Sequence, residues 1–255
     1  MNGLRRWVGW VWVLGLSAGS ARADYKAFAH TYPFFTQPAG NLELEWWVSA
    51  ETQSFSTAAV STLFEHRIEL EYGLTDRWDL SLYQVFQQPS QEALVYDSIR
   101  LETRYQLTRK YAFPVDLLGY AEIERPADLH QPTELELKLI ACRDFGPWFL
   151  QTNWITEVKL AGGDAFGYWF ALYAGLGYEF HPSFRLGVEA MFDWKVDSLA
   201  PGAATAKTIH VGPSISAARG RLWAVLTPCF RVAGQSNVDD LGNDLSLRFI
   251  VGANL

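Results

Sequence analysis

The stretch LELEWWV, residues 42–48, decides the fold. Its even positions are all apolar, and its odd positions carry Glu43, Glu45 and Trp47. Successive side chains of a β-strand point to opposite faces, so this alternation predicts a strand with one apolar and one largely polar face. Residues 64–74 repeat the pattern, with a charged residue at every second position from 65 to 71.

The same alternation recurs from position 41 to the last residue, in segments of about ten residues separated by turn-rich stretches. After the first two segments, the pattern predicts ten further strands at about 78–87, 95–107, 114–125, 133–143, 147–160, 168–180, 184–195, 208–217, 222–232 and 244–255. Twelve strands is an even number, which brings both chain ends to the same side of an up-and-down barrel.

The apolar face of each predicted strand lacks Asp, Glu, Lys and Arg in its central part. A Lys or Arg that faces lipid near the bilayer midplane costs roughly 2–4 kcal/mol, whereas one that faces a water-filled lumen stays solvated. Half-buried sheets of soluble proteins also alternate, but rarely so completely over twelve strands. The predicted fold class is therefore all-β, a transmembrane antiparallel up-and-down β-barrel of about 12 strands with a polar lumen.

The predicted connections differ in length. Those at 75–77, 181–183 and 218–221 are tight turns, whereas those at 88–94, 126–132, 196–207 and 233–243 are longer and rich in Pro, Gly, Asp or Ala. In barrels of this type short turns face the periplasm and long loops face the exterior. Pro213 and Pro228 lie within two adjacent predicted strands, and because each lacks a backbone N–H, a bulge or weakened pairing is expected there.

Residues 1–23 have the organisation of a secretory signal peptide. Arg5 and Arg6 precede an apolar run over 7–16, and Ala21-Arg22-Ala23 provides a cleavage site. The run is about ten residues long, whereas a spanning helix needs roughly 20. We expect cleavage after Ala23, a periplasmic N-terminal segment over 24–40 and the barrel over 41–255. A short buried N-terminal helix is the alternative.

Charge and cysteine content exclude several classes of protein. Without the signal peptide the basic residues fall from 21 to 18 against 28 acidic ones, a formal charge of −10, so no nucleic-acid partner is expected. No apolar run of 18 residues or more follows the signal, which excludes a helical membrane protein. Cys142 and Cys229 are too few for a disulfide scaffold or a zinc cluster, and we expect them to remain unpaired.

The last segment, LSLRFIVGANL at 245–255, is an amphipathic strand that runs to the final residue. In this it resembles Gram-negative outer-membrane proteins as a class, whose final strand closes the barrel and commonly ends in an aromatic residue. Leu255 departs from the aromatic form, although Phe249 lies within the strand. PAGNLELE at 38–45 is similar to the start of the first strand in poorly characterised porin-like and transporter-like barrels. The resemblance implies export to the cell outer membrane, contact with outer-membrane lipid, and the barrel-assembly machinery as a partner during biogenesis.

Charged side chains at inward positions are the candidate site residues. The acidic residues expected to line the lumen are Glu43, Glu45, Glu69, Glu71, Glu122, Glu124, Glu134 and Glu136. The basic ones are Arg67, Arg100, Arg104, Lys138, Arg185, Arg231 and Arg248. Over all inward positions the acidic residues outnumber the basic ones, 16 to nine, which predicts a net-acidic lumen. The unpaired excess is expected at residues 122, 124, 134 and 136, with Lys138 as the only basic neighbour in register.

Oxygen-rich clusters suit hard cations such as calcium, but inward carboxylates also pair with lumen arginines. We therefore favour an ionic lining over a metal site and expect no metal and no cofactor. His210 lies in IHVGPS at 209–214, a sequence similar to the outer-membrane phospholipase family, in which a His and a Ser two residues later share an outward face. Here Gly212 holds the serine's position and His210 lies on the polar face. His66 lies outward, where an interfacial imidazole is favoured over a catalytic one.

No nucleophile and base share a face in the sequence, so we expect no catalytic residues and no enzyme. Twelve strands fall between eight, which side chains fill, and 16 to 18, which enclose an aqueous channel. The leading hypothesis is an outer-membrane barrel that passes or binds small cationic or neutral solutes through its acidic lumen. The alternatives are a non-conducting structural or scaffold barrel for surface or periplasmic partners, or a lipid-modifying enzyme.

Overall fold

The computed structural model describes residues 25–55, 61–160, 167–237 and 242–255, so the predicted signal peptide and its cleavage site lie outside the described residues. The chain forms twelve strands: β1 (Leu42–Thr52), β2 (Thr62–Thr75), β3 (Trp78–Gln88), β4 (Val95–Gln106), β5 (Asp116–Pro126), β6 (Glu134–Phe145), β7 (Trp148–Lys159), β8 (Tyr168–His181), β9 (Phe184–Val196), β10 (Thr205–Arg219), β11 (Leu222–Ser236) and β12 (Leu245–Asn254). None of the described residues belongs to a helix long and apolar enough to cross a membrane.

Every strand pairs antiparallel with its neighbours in sequence, and β1 pairs with β12, which closes the sheet into a barrel. Closure leaves no unpaired sheet edge, so the strands pair their backbone donors and acceptors around the whole ring. The predicted fold class and strand number are both confirmed.

The two faces of the barrel are sorted as the alternation predicts. Leu44, Leu70, Leu82 and Leu101 are neighbours in register on four adjacent strands, and each is 42–51% exposed on the outside. Trp47, one position from Trp46, is fully buried in the lumen. Monomeric soluble proteins rarely expose a contiguous apolar surface of this extent, so the outer face is suited to lipid.

The connections fall into two groups at opposite ends of the barrel. Residues 76–77, 146–147, 182–183 and 220–221 form tight turns at one end, here called the short-turn end. The opposite end, here called the long-loop end, carries the connections over 53–61, 89–94, 127–133, 160–167, 197–204 and 237–244. One longer connection, over 107–115, lies at the short-turn end.

Strands β10 and β11 are longer than predicted and irregularly paired. Their outer ends are rich in Thr, Ala, Gly and Gln and lack apolar alternation, so the pattern could not reveal them. Their register shifts between Ile209 and His210, next to Pro213 and Pro228, and the irregular pairing expected from the two prolines is confirmed. A side chain at Gly212 would lie 1.7 Å from the Pro228 carbonyl oxygen, so this close approach requires glycine.

Candidate functional site

Residues 25–37 form a plug inside the barrel, although the sequence predicts a periplasmic segment at 24–40. All twelve of its residues other than Phe35 are buried, and Tyr25 and Phe28 are both 1% exposed. The segment holds five aromatic residues between positions 25 and 35, which water would solvate poorly and which the lumen buries. Residues 25–37 therefore lie in the barrel interior.

Both ends of the plug lie at the short-turn end of the barrel. The Tyr25 hydroxyl donates to the Pro182 carbonyl oxygen at 3.2 Å, in the turn between β8 and β9. At the other end the Gln37 backbone N–H donates to Asp79 Oδ2 at 2.9 Å, beside the turn between β2 and β3. The segment thus enters the lumen, turns, and returns to the same end before β1 begins.

Lys26 is the charged anchor of the plug. Its Nζ lies 2.5 Å from Glu45 Oε2 and 3.6 Å from Glu69 Oε2, and 4.5 Å from the centre of the Trp47 ring. Burial by itself lowers the pKa of Lys26, but the carboxylates of Glu45 and Glu69 more than offset it and hold the pKa above its ordinary value. The lysine therefore stays charged and neutralises part of an acidic wall.

The tip of the plug, residues 29–32, is held in place through hydrogen bonds to its backbone. Glu189 on β9 accepts hydrogen bonds from the backbone N–H groups of Ala29, His30 and Thr31, at 3.0, 3.0 and 2.7 Å. Asn153 on β7 accepts from the Tyr32 N–H at 2.6 Å and donates to the Tyr32 carbonyl at 3.0 Å. These bonds satisfy backbone groups that burial would otherwise leave unpaired.

Phe28 fits the barrel wall because the wall is made of glycine where the ring lies. The ring packs against Phe149 with 5.6 Å between centroids. A Cβ at Gly175 on β8 would lie 2.4 Å from the Phe28 ring, and one at Gly187 on β9 would lie 2.6 Å from it. The two glycines therefore create a recess for this side chain, as close packing of a ring on backbone requires.

A polar cavity of about 580 Å³ lies above the plug and extends to the strand ends at the long-loop end. His30 and Tyr32 of the plug form its floor, and Glu51, Lys159 and Lys195 lie at its upper margin. Burial and the nearby Arg248 guanidinium lower the pKa of His30 well below its ordinary value, so the imidazole is neutral. Apart from histidine and tyrosine, the ionisable side chains of the cavity walls are seven acidic and six basic ones: Glu51, Glu122, Glu124, Glu134, Glu136, Glu157 and Asp193, with Arg67, Arg100, Lys138, Lys159, Lys195 and Arg248.

The predicted acidic residues divide into two groups at different depths. Glu43, Glu45, Glu69 and Glu71 are at most 2% exposed and lie beside the plug. Glu43 accepts from Trp223 Nε1 at 3.1 Å, and Glu71 pairs with the buried Arg104, which also contacts Asp79. This lower group is therefore sealed from the cavity by the plug.

The upper group, Glu122, Glu124, Glu134 and Glu136, lines the cavity, and here the expected pairing was wrong. Arg100 Nη1 lies 3.2 Å from Glu122, and Arg100 Nη2 lies 3.0 Å from Glu124. Lys159 is 3.7 Å from Glu134, and Lys138 is 2.7 Å from Glu136. Lys138 is thus not the only basic neighbour, because the ladder between β4 and β5 sets Arg100 directly opposite Glu124.

The remaining predicted basic residues lie at three levels. Arg67 contacts Glu65 at 2.5 Å in the cavity wall. Arg185 lies at the short-turn end, where it pairs with Glu179 at 2.9 Å and donates to the Tyr25 carbonyl at 3.0 Å. Arg231 pairs with Asp244 near the long-loop end. Arg248 lines the cavity and donates to Ser49 Oγ at 3.0 Å.

The two histidines singled out in the sequence occupy opposite faces. His66 stacks on Trp46 on the outside, with 6.1 Å between ring centres and 10° between ring planes. His210 faces the lumen, where its Nε2 lies 2.8 Å from the Asn243 carbonyl oxygen and its Nδ1 is 4.0 Å from Asp193. Within the described ranges, no group of three or more His, Cys, Asp or Glu side chains is arranged to hold a metal ion.

Sequence reasoning missed the plug and the residues that receive it. Glu189, Asn153, Ser214 and Thr227 all contact plug residues 27–32, yet they lie on four different strands, so no local pattern connects them. The density of aromatic residues over 25–35 was the available signal, because such a segment is unsuited to water.

No protein-family model matches the chain, and no curated protein matches it. Among solved structures, the COG4313 outer membrane channel from Pseudomonas putida F1 is similar at 12% identity, covers 87% of this chain and 98% of its own, and has a TM-score of 0.64. The KdgM porin in complex with disordered oligogalacturonate is similar at 8% identity, with 84% and 99% of the chains covered and a TM-score of 0.53. The NanC porin is similar at 11% identity over 84% and 100%, with a TM-score of 0.53. At these identities the likeness establishes a shared fold, that of outer-membrane porin and channel barrels.

Proposed function

We propose that this protein is an outer-membrane barrel that takes up small polar solutes into its upper cavity and passes them to the periplasm when the plug moves. The observation that carries the proposal is the polar cavity of about 580 Å³ inside a closed twelve-stranded barrel. A charged cavity of this size suits small polar molecules. The shared fold with proteins described as a channel and as porins is consistent with passage of solutes.

The proposal places the apolar outer face in the lipid of the outer membrane, after export and insertion by the barrel-assembly machinery. The short-turn end then faces the periplasm and the long-loop end faces the exterior, as in other barrels of this type. The plug closes the periplasmic half, and the cavity is reached from outside.

The membrane assignment predicts a strong difference between the two faces of β8. Leu172→Arg puts a cation on the outer face in the middle of the strand, and we expect it to lower the free energy of unfolding by roughly 2–4 kcal/mol. Trp169→Arg, which places the same side chain on the cavity wall beside Asp193, is the matched control and is expected to cost less. Urea unfolding in lipid vesicles measures both, and equal losses would contradict the assignment.

The wild-type barrel should conduct weakly and prefer cations only slightly. The cavity carries seven carboxylates against six cations, while the larger acidic excess expected from the sequence lies in the lower half beside the plug. Reversal potentials across a salt gradient in planar bilayers measure the preference, which should fall further as salt shortens the Debye length from about 30 Å at 0.01 M to about 10 Å at 0.1 M. A strong anion preference would contradict this charge balance.

A second candidate function is a non-conducting structural barrel, which the dense contacts of the plug favour. The plug fills the lower lumen with buried side chains and is bonded to strands on several sides. The two candidates differ in one measurable property: a barrel that passes solutes admits small sugars or amino acids into proteoliposomes, and a structural barrel does not. Liposome swelling in isosmotic solute decides between them.

A further inference from the structure

Arg248 on β12 is a cation without a carboxylate partner in the cavity wall. No carboxylate of the described residues lies within 4.0 Å of it, whereas Arg67 and Arg100 each have at least one. Its guanidinium lies 5.4 Å from the centre of the Trp47 ring and donates to Ser49 Oγ on β1 at 3.0 Å. This side of the cavity therefore offers an anion a charged, planar donor that has no ion-pair partner among the described residues.

Glu157 on β7 is an acidic residue of the cavity wall that has no basic partner in the described part of the chain. Among the described residues it has no cation within 4.0 Å, and it lies directly opposite Glu136 of β6 in the ladder. Like charges directly opposite each other on neighbouring strands are destabilising. Glu136 has Lys138 at 2.7 Å, so two carboxyl groups share one lysine on this side of the cavity.

Arg248 and Glu157 face each other across the lumen. Arg248 lies at the junction of β12 and β1, and Glu157 lies at the junction of β6 and β7, which is half-way round a closed ring of twelve strands. Strands about 4.8 Å apart and tilted by roughly 40° enclose a ring roughly 24 Å across. Side chains reaching roughly 6 Å inward from both walls leave a gap of roughly 12 Å between the charged groups.

The plug contributes directly to the cationic side. Arg248 Nη1 lies 3.4 Å from the Ala29 carbonyl oxygen, so the arginine is also a contact of the plug tip. The next residue, His30, lines the cavity floor, is 4% exposed, and its Nε2 has no hydrogen-bond partner among the described residues. A ligand that reaches Arg248 therefore also lies close to the unpartnered Nε2 of His30 in the plug.

We propose that the cavity binds a small dipolar solute with a carboxylate at one end and an ammonium group at the other. The carboxylate pairs with Arg248 beside His30, and the ammonium group lies between Glu136 and Glu157. This inference deepens the proposed function by giving the chemical class of the solute, and it rests on that function only for the claim that the bound molecule is afterwards passed on.

Binding of the solute's carboxylate to Arg248 also weakens a contact that holds the plug. Arg248 has one planar guanidinium, and a carboxylate that takes two of its N–H groups competes with the weaker contact to the Ala29 carbonyl. The solute thus removes one of the bonds that hold the plug tip, which couples occupation of the cavity to release of the plug.

The test is calorimetric titration of the full-length barrel in non-ionic detergent at low salt with three probes of matched length. They are 6-aminohexanoate, which carries both charges, hexanoate and hexylammonium. Extended 6-aminohexanoate separates its charges by roughly 8 Å, so with contacts of about 2.8 Å at each end it spans roughly 14 Å, and slight bending of its chain matches the gap of roughly 12 Å. We expect it to bind at least roughly ten-fold more tightly than either singly charged probe, since each probe lacks one charge-assisted contact.

Two variants test which side chain binds each charged end of the solute. Arg248→Gln should abolish the advantage of 6-aminohexanoate over hexylammonium, and Glu157→Gln should abolish its advantage over hexanoate. Arg231→Gln, which removes an arginine paired with Asp244 outside the cavity lining, is the matched control and should leave the order of affinities unchanged. Equal affinity for the three probes, or no heat with any of them in a barrel that unfolds with the wild-type transition, overturns the inference. If a barrel that binds none of the probes still admits solutes in liposome swelling, the proposed function stands, and only the inference about a dipolar solute is overturned.

Discussion

Deletion of residues 25–36 is expected to raise the single-channel conductance of the barrel roughly ten-fold or more, because it empties the lower half of a twelve-stranded lumen. All twelve strands begin at or after Leu42, so the deletion leaves the barrel ladder intact. Planar bilayer recordings of the deleted and full-length proteins measure the effect.

The same deletion should turn a weak cation preference into a strong one. It opens to water a set of carboxylates that the plug covers, of which each is at most 2% exposed: Glu43, Glu45, Glu69, Glu71, Asp79, Glu102, Asp116 and Glu189. Arg104 is the cation that pairs with residues 71 and 79, and the plug itself supplies Lys26. Removing Lys26 along with the plug increases the negative field in the lumen, which concentrates cations there.

Lys26→Met provides a graded version of the deletion. It leaves the carboxylates of Glu45 and Glu69 buried without their cation, an arrangement that costs about 3–5 kcal/mol where the site stays dry. Partial opening is therefore expected. Lys110→Met, at an exposed lysine of the connection over 107–115, is the matched control and should conduct like wild type. A deleted barrel that folds and conducts no more than the full-length protein would show that the plug is not the barrier.

Glu189→Gln should release the tip of the plug. One carboxylate accepts backbone N–H groups from three consecutive residues, Ala29, His30 and Thr31, and hydrogen bonds to a charged acceptor contribute about 1.5–3 kcal/mol each. Glutamine keeps the size of the side chain but offers one carbonyl oxygen and an NH₂ group that cannot accept. We expect docking of the tip to weaken by about 2–4 kcal/mol, which raises the undocked population by roughly 30- to 1000-fold.

Amide hydrogen exchange over residues 25–37 measures this release directly. Protection at positions 29–31 should fall in the variant, while the strands keep theirs. Glu124→Gln is the matched control, because Glu124 contacts Ser98 and Arg100 in the cavity wall and has no plug contact. Unchanged protection at 29–31 in Glu189→Gln would mean that other contacts, such as those of Asn153, hold the tip by themselves.

The sequence predicted the barrel well because strand alternation is a local property. Whether Leu70 faces outward follows from its position relative to Glu69 and Glu71, and no distant residue is needed to decide it. The strand number, the apolar outer face and the irregularity near Pro213 and Pro228 all followed from such short-range patterns. Where alternation fades, at the outer ends of β10 and β11, the predicted bounds were too short.

The pairing of charges across strands was beyond the sequence, because it depends on register. A shift of one residue moves every side chain to the other face, and a shift of two keeps the face but changes the partner. Glu124 was expected to be unpaired, yet the ladder sets it opposite Arg100. Among the described residues, Glu157 is a carboxyl group without a basic partner. Only the complete set of neighbouring strands decides which carboxyl group that is.

By itself, then, the sequence determined that the chain forms a twelve-stranded barrel with an apolar outside and a charged inside, because period-two patterning acts residue by residue. Only the tertiary structure decided that residues 25–37 fill the lower lumen. The contacts that hold Ala29, His30 and Tyr32 come from strands β7, β9, β11 and β12, more than 100 residues away in the chain. Such long-range contacts leave no periodic trace, since the closed barrel must exist before it can provide a dry, polar interior for the segment to occupy.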